Sequence, residues 1–446
     1  MMKDMTTGSP LKQIFFFLIP ILLGNMLQQV FHLVDVMIVG RTLGEQKLAA
    51  VGATISLAWT ALGFFWGMTS GFTTITSQRF GAKDESGVRR SFTNSILICL
   101  VLSILFTVGF WLFTPQFLIL TKVPEELLAD ATTYLRIIYL GIGTTVSCNL
   151  LTGVIRALGN SRTPLYILCV SSVVNVIFDL VFICVFHWDV AGAAWATVIS
   201  QVAVSLCCVV YICRKMPILH PRREDWNPNW KMSATLTKQG LPMALNFTIM
   251  NIGGLLLQSA VNQFGGNSMA TVTIAGRLNI LMVQPMIAYG QAMVTYVAQN
   301  FGANKYKRIL TGMWQSGLML FAWNLCAALI LLTCGQYLVG LFLKEPNPEI
   351  IDYSMKFFLI ASIFYPVLSS LFVFRSCLQG VGMAFVVMFA GMGELVMRAI
   401  CSIVLPKYIG FWGICFANPM AWLGSALVLF FPFLYWRYKN RDRFLS

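Results

Sequence analysis

The 446-residue chain is 57% hydrophobic and 11% charged, with a mean hydropathy of +0.75, less than half the roughly 25% charge of an ordinary soluble domain. A water-soluble fold of this size could not cover its surface, so most of that surface must face lipid. The formal net charge of +14 does not argue for a nucleic-acid partner, because the basic residues sort by membrane side.

Spanning a bilayer takes about 20 apolar residues per helix. The sequence predicts an all-α integral membrane protein with twelve spans, near 11–39, 47–78, 91–113, 130–155, 164–186, 190–213, 236–262, 269–298, 310–343, 350–376, 382–405 and 411–436. The first apolar run is too long for a cleaved signal peptide and lacks a cleavage site. It carries Pro20, which removes a backbone hydrogen bond and permits a kink, and Asp35 near its far end. Span two holds Gly67 and Gly71, one turn apart, a spacing that suits close helix packing. Span five carries Asn175 and Asp179, one turn apart on one face, and span six carries Thr197. A polar stretch, 214–235, follows. Span eleven carries Glu394 and Arg398 at an i,i+4 spacing.

Counting Lys and Arg between spans orients the chain. One side carries twenty-two: the N-terminal pair, the 79–90 loop, Arg156, Arg162, the six around 214–238, Lys305, Lys307, Arg308, Arg375 and the tail. The other side carries five, Arg41, Lys47, Lys122, Lys344 and Lys407, while Arg136, Arg277, Lys356 and Arg398 fall inside spans. Both termini are expected in the cytoplasm and the protein in the plasma membrane.

The two halves repeat. Ile19-Pro20 and Asn25 are echoed by Leu241-Pro242 and Asn246, and Gln78-Arg79-Phe80-Gly81-Ala82 recurs 221 residues later as Gln299-Asn300-Phe301-Gly302-Ala303. Arg156 and Arg375 close spans four and ten. The expected organisation is a six-helix lobe over 1–213, a cytoplasmic linker over 214–235, a second lobe over 236–436 and a basic tail over 437–446. Six is even, so the lobes are parallel repeats, an architecture that alternates access to a central site.

Of the seventeen acidic residues, only Asp35, Asp179 and Glu394 sit clearly within spans. Each costs roughly 2.5–3.5 kcal/mol to bury on insertion scales, so each needs a partner or a purpose. At 1.5 Å per residue, Asp35, Asp179 and Thr197 lie roughly 7, 12 and 10 Å below the outer surface, so with Asn175 they occupy one layer of the first lobe. Two close carboxylates do not both stay ionised without a cation. Such a layer suits a shared proton, or a hard cation completed by amide and hydroxyl oxygens; hydrogen-bonded helix glue is the plainer use of the same residues. Glu394 and Arg398 read first as a pair that neutralises two buried charges.

These motifs, with Arg156-Ala-Leu-Gly and Gly192-Ala-Ala-Trp-Ala-Thr197, resemble the multidrug and toxic compound extrusion (MATE) family over essentially the whole chain. The first lobe is closer to its DinF-like branch. The NorM-like branch expects an acidic residue in span seven, and Asn246 to Asn251 offers none. The resemblance implies a monomeric secondary exporter of small organic cations, antiporting H⁺ or Na⁺ and needing no cofactor. It also implies an ion-coupling site at Asp35, Asn175, Asp179 and Thr197, with Pro20 as the hinge. A lipid or lipid-linked-sugar flippase of the same superfamily is the alternative, which Arg136, Arg277 and Lys356 would serve. An enzyme is not expected: the three histidines, His32, His187 and His220, have no metal or nucleophile spacing. The twelve cysteines lack Cys-x-x-Cys spacing and read as free thiols.

Overall fold

The computed structural model describes residues 3–343 and 347–445; Lys344 lies outside them. The described residues form helices α1 (Pro10–Leu43), α2 (Glu45–Gly81), α3 (Glu85–Leu120), α4 (Glu125–Leu140), α5 (Ile142–Ala157), α6 (Arg162–Leu180) and α7 (Asp189–Lys215). There follow α8 (Trp230–Val261), α9 (Gly266–Gly302), α10 (Tyr306–Gly340), α11 (Pro348–Gly380), α12 (Ala384–Ile403), α13 (Pro406–Ile409), α14 (Phe411–Lys439) and α15 (Arg441–Leu445). Among the described residues, eleven spans are long and apolar enough to cross a membrane. The pair α4 and α5, bent by 45° at Gly141, makes the twelfth when counted as one broken span. Lipid-facing character is plain on α3, where Leu100, Val101, Ile104, Leu105 and Leu112 are all exposed.

The repeat is written into the backbone as well as the sequence. Gly44 before α2 and Gly265 before α9 have φ of 85° and 83°, a left-handed conformation that glycine adopts without strain. The Gln-x-Phe-Gly-Ala motifs are the helix ends that follow. Ala82 and Lys83 donate to Gln78 O and Phe80 O, and Ala303 and Asn304 to Gln299 O and Phe301 O, at 3.0, 3.0, 3.0 and 3.1 Å. Lys83 and Asn304 both turn left-handed, with φ of 58° and 57°, closing the last carbonyls of each helix.

The chain divides into two compact units, but not at the boundaries expected from composition. Unit 1 is Met1–Asp4 with Ile19–Ala244, and unit 2 is Met5–Leu18 with Leu245–Ser446. The polar stretch 214–235 belongs to unit 1 because it is anchored there. Met216 and Leu219 are fully buried, and Asp225 accepts from Arg89 Nε at 3.2 Å while its carbonyl accepts from Thr93 at 2.8 Å. The start of α8 then packs Met232, Leu236 and Ala244 into the core built around Phe65, Phe72, Leu135 and Tyr139. Gly67 and Gly71 make this approach possible. A Cβ at either would lie 2.4 Å from Met243 O or 2.6 Å from Gln239 O, so the expected close packing has α8 as its partner.

Segment 5–8 is anchored in the same manner to unit 2. Met5 N–H donates to Gln299 Oε1 at 2.9 Å, Asn300 Nδ2 to Met5 O at 3.1 Å, Lys305 Nζ to Thr6 O at 2.8 Å and Arg308 Nη1 to Gly8 O at 2.7 Å. Unit 2 is also held by a buried polar network. Tyr365 OH donates to Asn279 Oδ1 at 2.7 Å, and Asn324 Nδ2 donates to Tyr365 O at 3.1 Å and Ser369 Oγ at 2.6 Å.

Candidate functional site

Unit 1 brings Asp35 of α1 and Asp179 of α6 side chain to side chain, close enough for their carboxyl groups to share a hydrogen bond. Asp179 is fully buried. Apart from this mutual contact, Asp35 Oδ1 and both Asp179 oxygens meet no hydrogen-bond donor. Two facing carboxyls with no donor between them repel when both are charged, an arrangement that suits a shared proton or a bound cation.

Local structure positions Asp179. Directly after it, α6 widens into a π-helical turn over Val181–Val185, closed by Phe186 N–H donating to Val181 O at 3.0 Å. Phe182 then stacks on Trp188 with ring centroids 4.9 Å apart. Such π turns are uncommon and concentrate at functional sites.

Of the remaining residues expected in this layer, neither Asn175 nor Thr197 hydrogen-bonds either carboxyl. Thr197 Oγ1 instead donates to Ala193 O of its own helix, at 3.1 Å. Two residues that the sequence did not place in this layer interact electrostatically with the pair. His32, one turn before Asp35, lies within electrostatic reach of it and packs edge-on against Trp59, ring centroids 5.9 Å apart. Tyr134 of α4 lies within electrostatic reach of both aspartates. The i,i+3 spacing of His32 and Asp35 was the only signal available for the first; Tyr134 had none. Pro20 is buried inside a continuous α1.

In unit 2, Glu394 Oε1 accepts from Arg398 Nη2 at 2.7 Å, the pair expected from the sequence. It is not closed, however. Arg375, expected to close span ten on the cytoplasmic side, lies within α11, and its side chain reaches Glu394 Oε2 at 3.2 Å. A long arginine side chain near a helix end can point inward as readily as toward the headgroups. The other basic residues within spans are differently placed. Arg136 lies over Trp111 at 4.8 Å, Lys356 pairs with Asp352 and lies over Trp412 at 5.3 Å, and Arg277 is exposed.

The sequence pattern of the MatE family matches residues 20–181 and again 242–404, once for each repeat. The probable multidrug resistance protein YpnP of Bacillus subtilis is 30% identical over 99% of this chain and 98% of its own length. The multidrug export protein MepA of Staphylococcus aureus is 25% identical over 75% of this chain and 74% of its own. Among solved structures, the outward-facing conformation of a multidrug resistance MATE family transporter of the MOP superfamily superposes with a TM-score of 0.89 at 21% identity, covering 99% of this chain and 98% of the other.

Proposed function

We propose that this chain, which belongs to the MatE family and is a multidrug efflux transporter, drives export by gain and loss of a proton at the Asp35–Asp179 pair. The facing of these two carboxyls carries the reading. An ion can drive a conformational change only by binding one state better than the other. A proton bridging two buried carboxyls is stabilised only while they stand together, so its affinity changes with any motion that parts α1 from α6.

A hard cation seeks six or so oxygen ligands. Here two carboxyl groups converge while Asn175 and Thr197 stay uncommitted to them, which favours H⁺ over Na⁺. Asn175 and Thr197 then shape the surroundings of the pair. The substrates in this reading are small amphipathic organic cations, exported across the plasma membrane in exchange for the proton, with both ends of the chain in the cytoplasm. Of the three cations that the flippase reading would use, Arg136 and Lys356 are engaged by aromatic rings and Asp352, and Arg277 is exposed.

Efflux of a fluorescent cation from energised vesicles tests it. A protonophore should abolish transport and sodium removal should not. Asp35→Asn and Asp179→Asn should insert at wild-type abundance and lose ion-driven efflux. Wild-type rates in both variants would refute the site, and a strict sodium requirement would refute the ion.

A further inference from the structure

Unit 2 contains a charge imbalance that export through Asp35 and Asp179 does not use. Arg375 of α11 and Arg398 of α12 both bond to Glu394, Nη2 to Oε2 at 3.2 Å and Nη2 to Oε1 at 2.7 Å. Glu394 and Arg398 are 3% and 7% exposed. The other described carboxylates of unit 2 are Glu349, bonded to Asn267, Asp352, paired with Lys356, and Asp442 in the terminal helix. Two guanidiniums therefore share one carboxylate, and the buried cluster carries an excess of one positive charge.

The donors are also under-used. A guanidinium presents five N–H groups in a fixed fork, yet Nε of Arg375 and Nε of Arg398 are both buried with no acceptor. Arg375 Nη1 meets only the sulfur of Met250, at 3.7 Å, and Arg398 Nη1 meets only Met250 O, at 3.4 Å. Ser425, fully buried, sits 3.3 Å from Arg375 Nη2. Glu394 lies ten residues into α12, about 15 Å along its axis. A buried net charge in lipid is costly unless it is paired.

We propose that the Arg375–Glu394–Arg398 cluster is a binding site for a monovalent anion, a carboxylate or a halide, whose charge cancels the excess and whose lone pairs take the free N–H groups. The site belongs to unit 2 alone. It extends the molecule's ligand chemistry beyond cations: a transported compound could present a carboxylate here, or a free halide could reside here.

The test is binding to the purified full-length chain, titrated separately with sodium chloride and sodium acetate and followed by calorimetry and thermal unfolding. One saturable anion per chain is expected, with unfolding shifted upward. Arg375→Met leaves the neutral Glu394–Arg398 pair and should weaken binding by about tenfold or more, since charge-assisted hydrogen bonds are lost. Arg398→Met, which leaves Arg375 paired with Glu394, provides the same comparison if Arg375→Met does not fold. Glu394→Gln raises the excess to two charges and should tighten binding. Acetate binding that chloride does not displace assigns the site to organic carboxylates; the converse assigns it to halide. Absence of saturable binding to the wild type, or an Arg375→Met response equal to wild type, overturns the proposal. Because the readout is binding, failure of proton-coupled export would leave this result standing.

Discussion

Pro20 and Pro242 occupy equivalent points in the two repeats, and the division between the compact units falls two residues before the first and two residues after the second. Each proline removes one backbone N–H from its helix and with it one hydrogen bond to the preceding turn. We propose that the lost bond makes each of these helices bend at this point during transport. Pro20→Ala should restore that bond, leave abundance unchanged or higher, and lower efflux per molecule. Pro242→Ala, on the helix without a buried aspartate, should have the smaller effect. Equal, wild-type turnover in both would remove the joint from the transport cycle.

The aspartate pair acts as one group in this reading, so its variants should not add. Asp35→Asn, Asp179→Asn and the double variant should lose ion-driven efflux to nearly the same extent, as residues that work as a unit do. Binding of a fluorescent cation to the purified double variant should persist. Losses that multiply in the double variant would mean two independent proton sites.

Glu394→Gln leaves the buried Arg398 and the half-buried Arg375 without a counter-charge. The cost of breaking a buried pair is about 3–5 kcal/mol, so the single variant should express poorly and unfold at lower temperature. Arg398→Met alone is milder, because Arg375 still reaches Glu394 at 3.2 Å. Full recovery of Glu394→Gln requires replacing both arginines. Recovery with Arg398→Met only would show Arg375 to be a bystander.

Gly67→Ala and Gly71→Ala test the packing of α2 on α8. The added Cβ at 2.4 and 2.6 Å from backbone oxygens cannot be absorbed by a side-chain rotation. Overpacking of this kind costs typically 1–3 kcal/mol. Thermal unfolding of the two variants measures it, and unfolding temperatures equal to wild type would show that α8 is free to move away.

What the sequence made legible follows from what has a period. Apolar runs of about 20 residues marked the spans, including the one that breaks at Gly141, and the Gln-x-Phe-Gly-Ala motifs marked the repeat because both end helices in the same left-handed turn. Asp35 and Asp179 were found because charge is rare in lipid. Tyr134 was not, since its relevance lies in a neighbouring helix and no spacing along its own chain reports it. The bond of Arg375 to Glu394 was not foreseen, because position along a helix does not reveal which way a long side chain turns. The 214–235 stretch looked like a linker by polarity, whereas the buried carboxylate of Asp225 pairs with Arg89 and Arg90 and Met216 and Leu219 are buried beside it in sequence.

Asp225 and Arg308 should therefore control order in these segments. Asp225→Asn should raise proteolysis within 216–229, and Arg308→Ala, which gives up bonds to Gly8, Met5 and Thr7, should do so within 5–9. Limited proteolysis of inside-out vesicles followed by mass mapping reads both. Unchanged cleavage would show that the apolar contacts alone hold the segments.

The exchange of segments 5–18 and 214–244 between repeats also sets a timetable for the ribosome. Unit 1 cannot close its core until the start of α8 has been made, well past the last helix of its own repeat. Residues 5–18 are synthesised among the first, yet their partners Gln299, Asn300, Lys305 and Arg308 emerge almost three hundred residues later. For that interval the newborn chain holds residues 5–8 without the partners that bind them in the folded protein. A cut at residue 235 separates each compact unit from a segment that it contains.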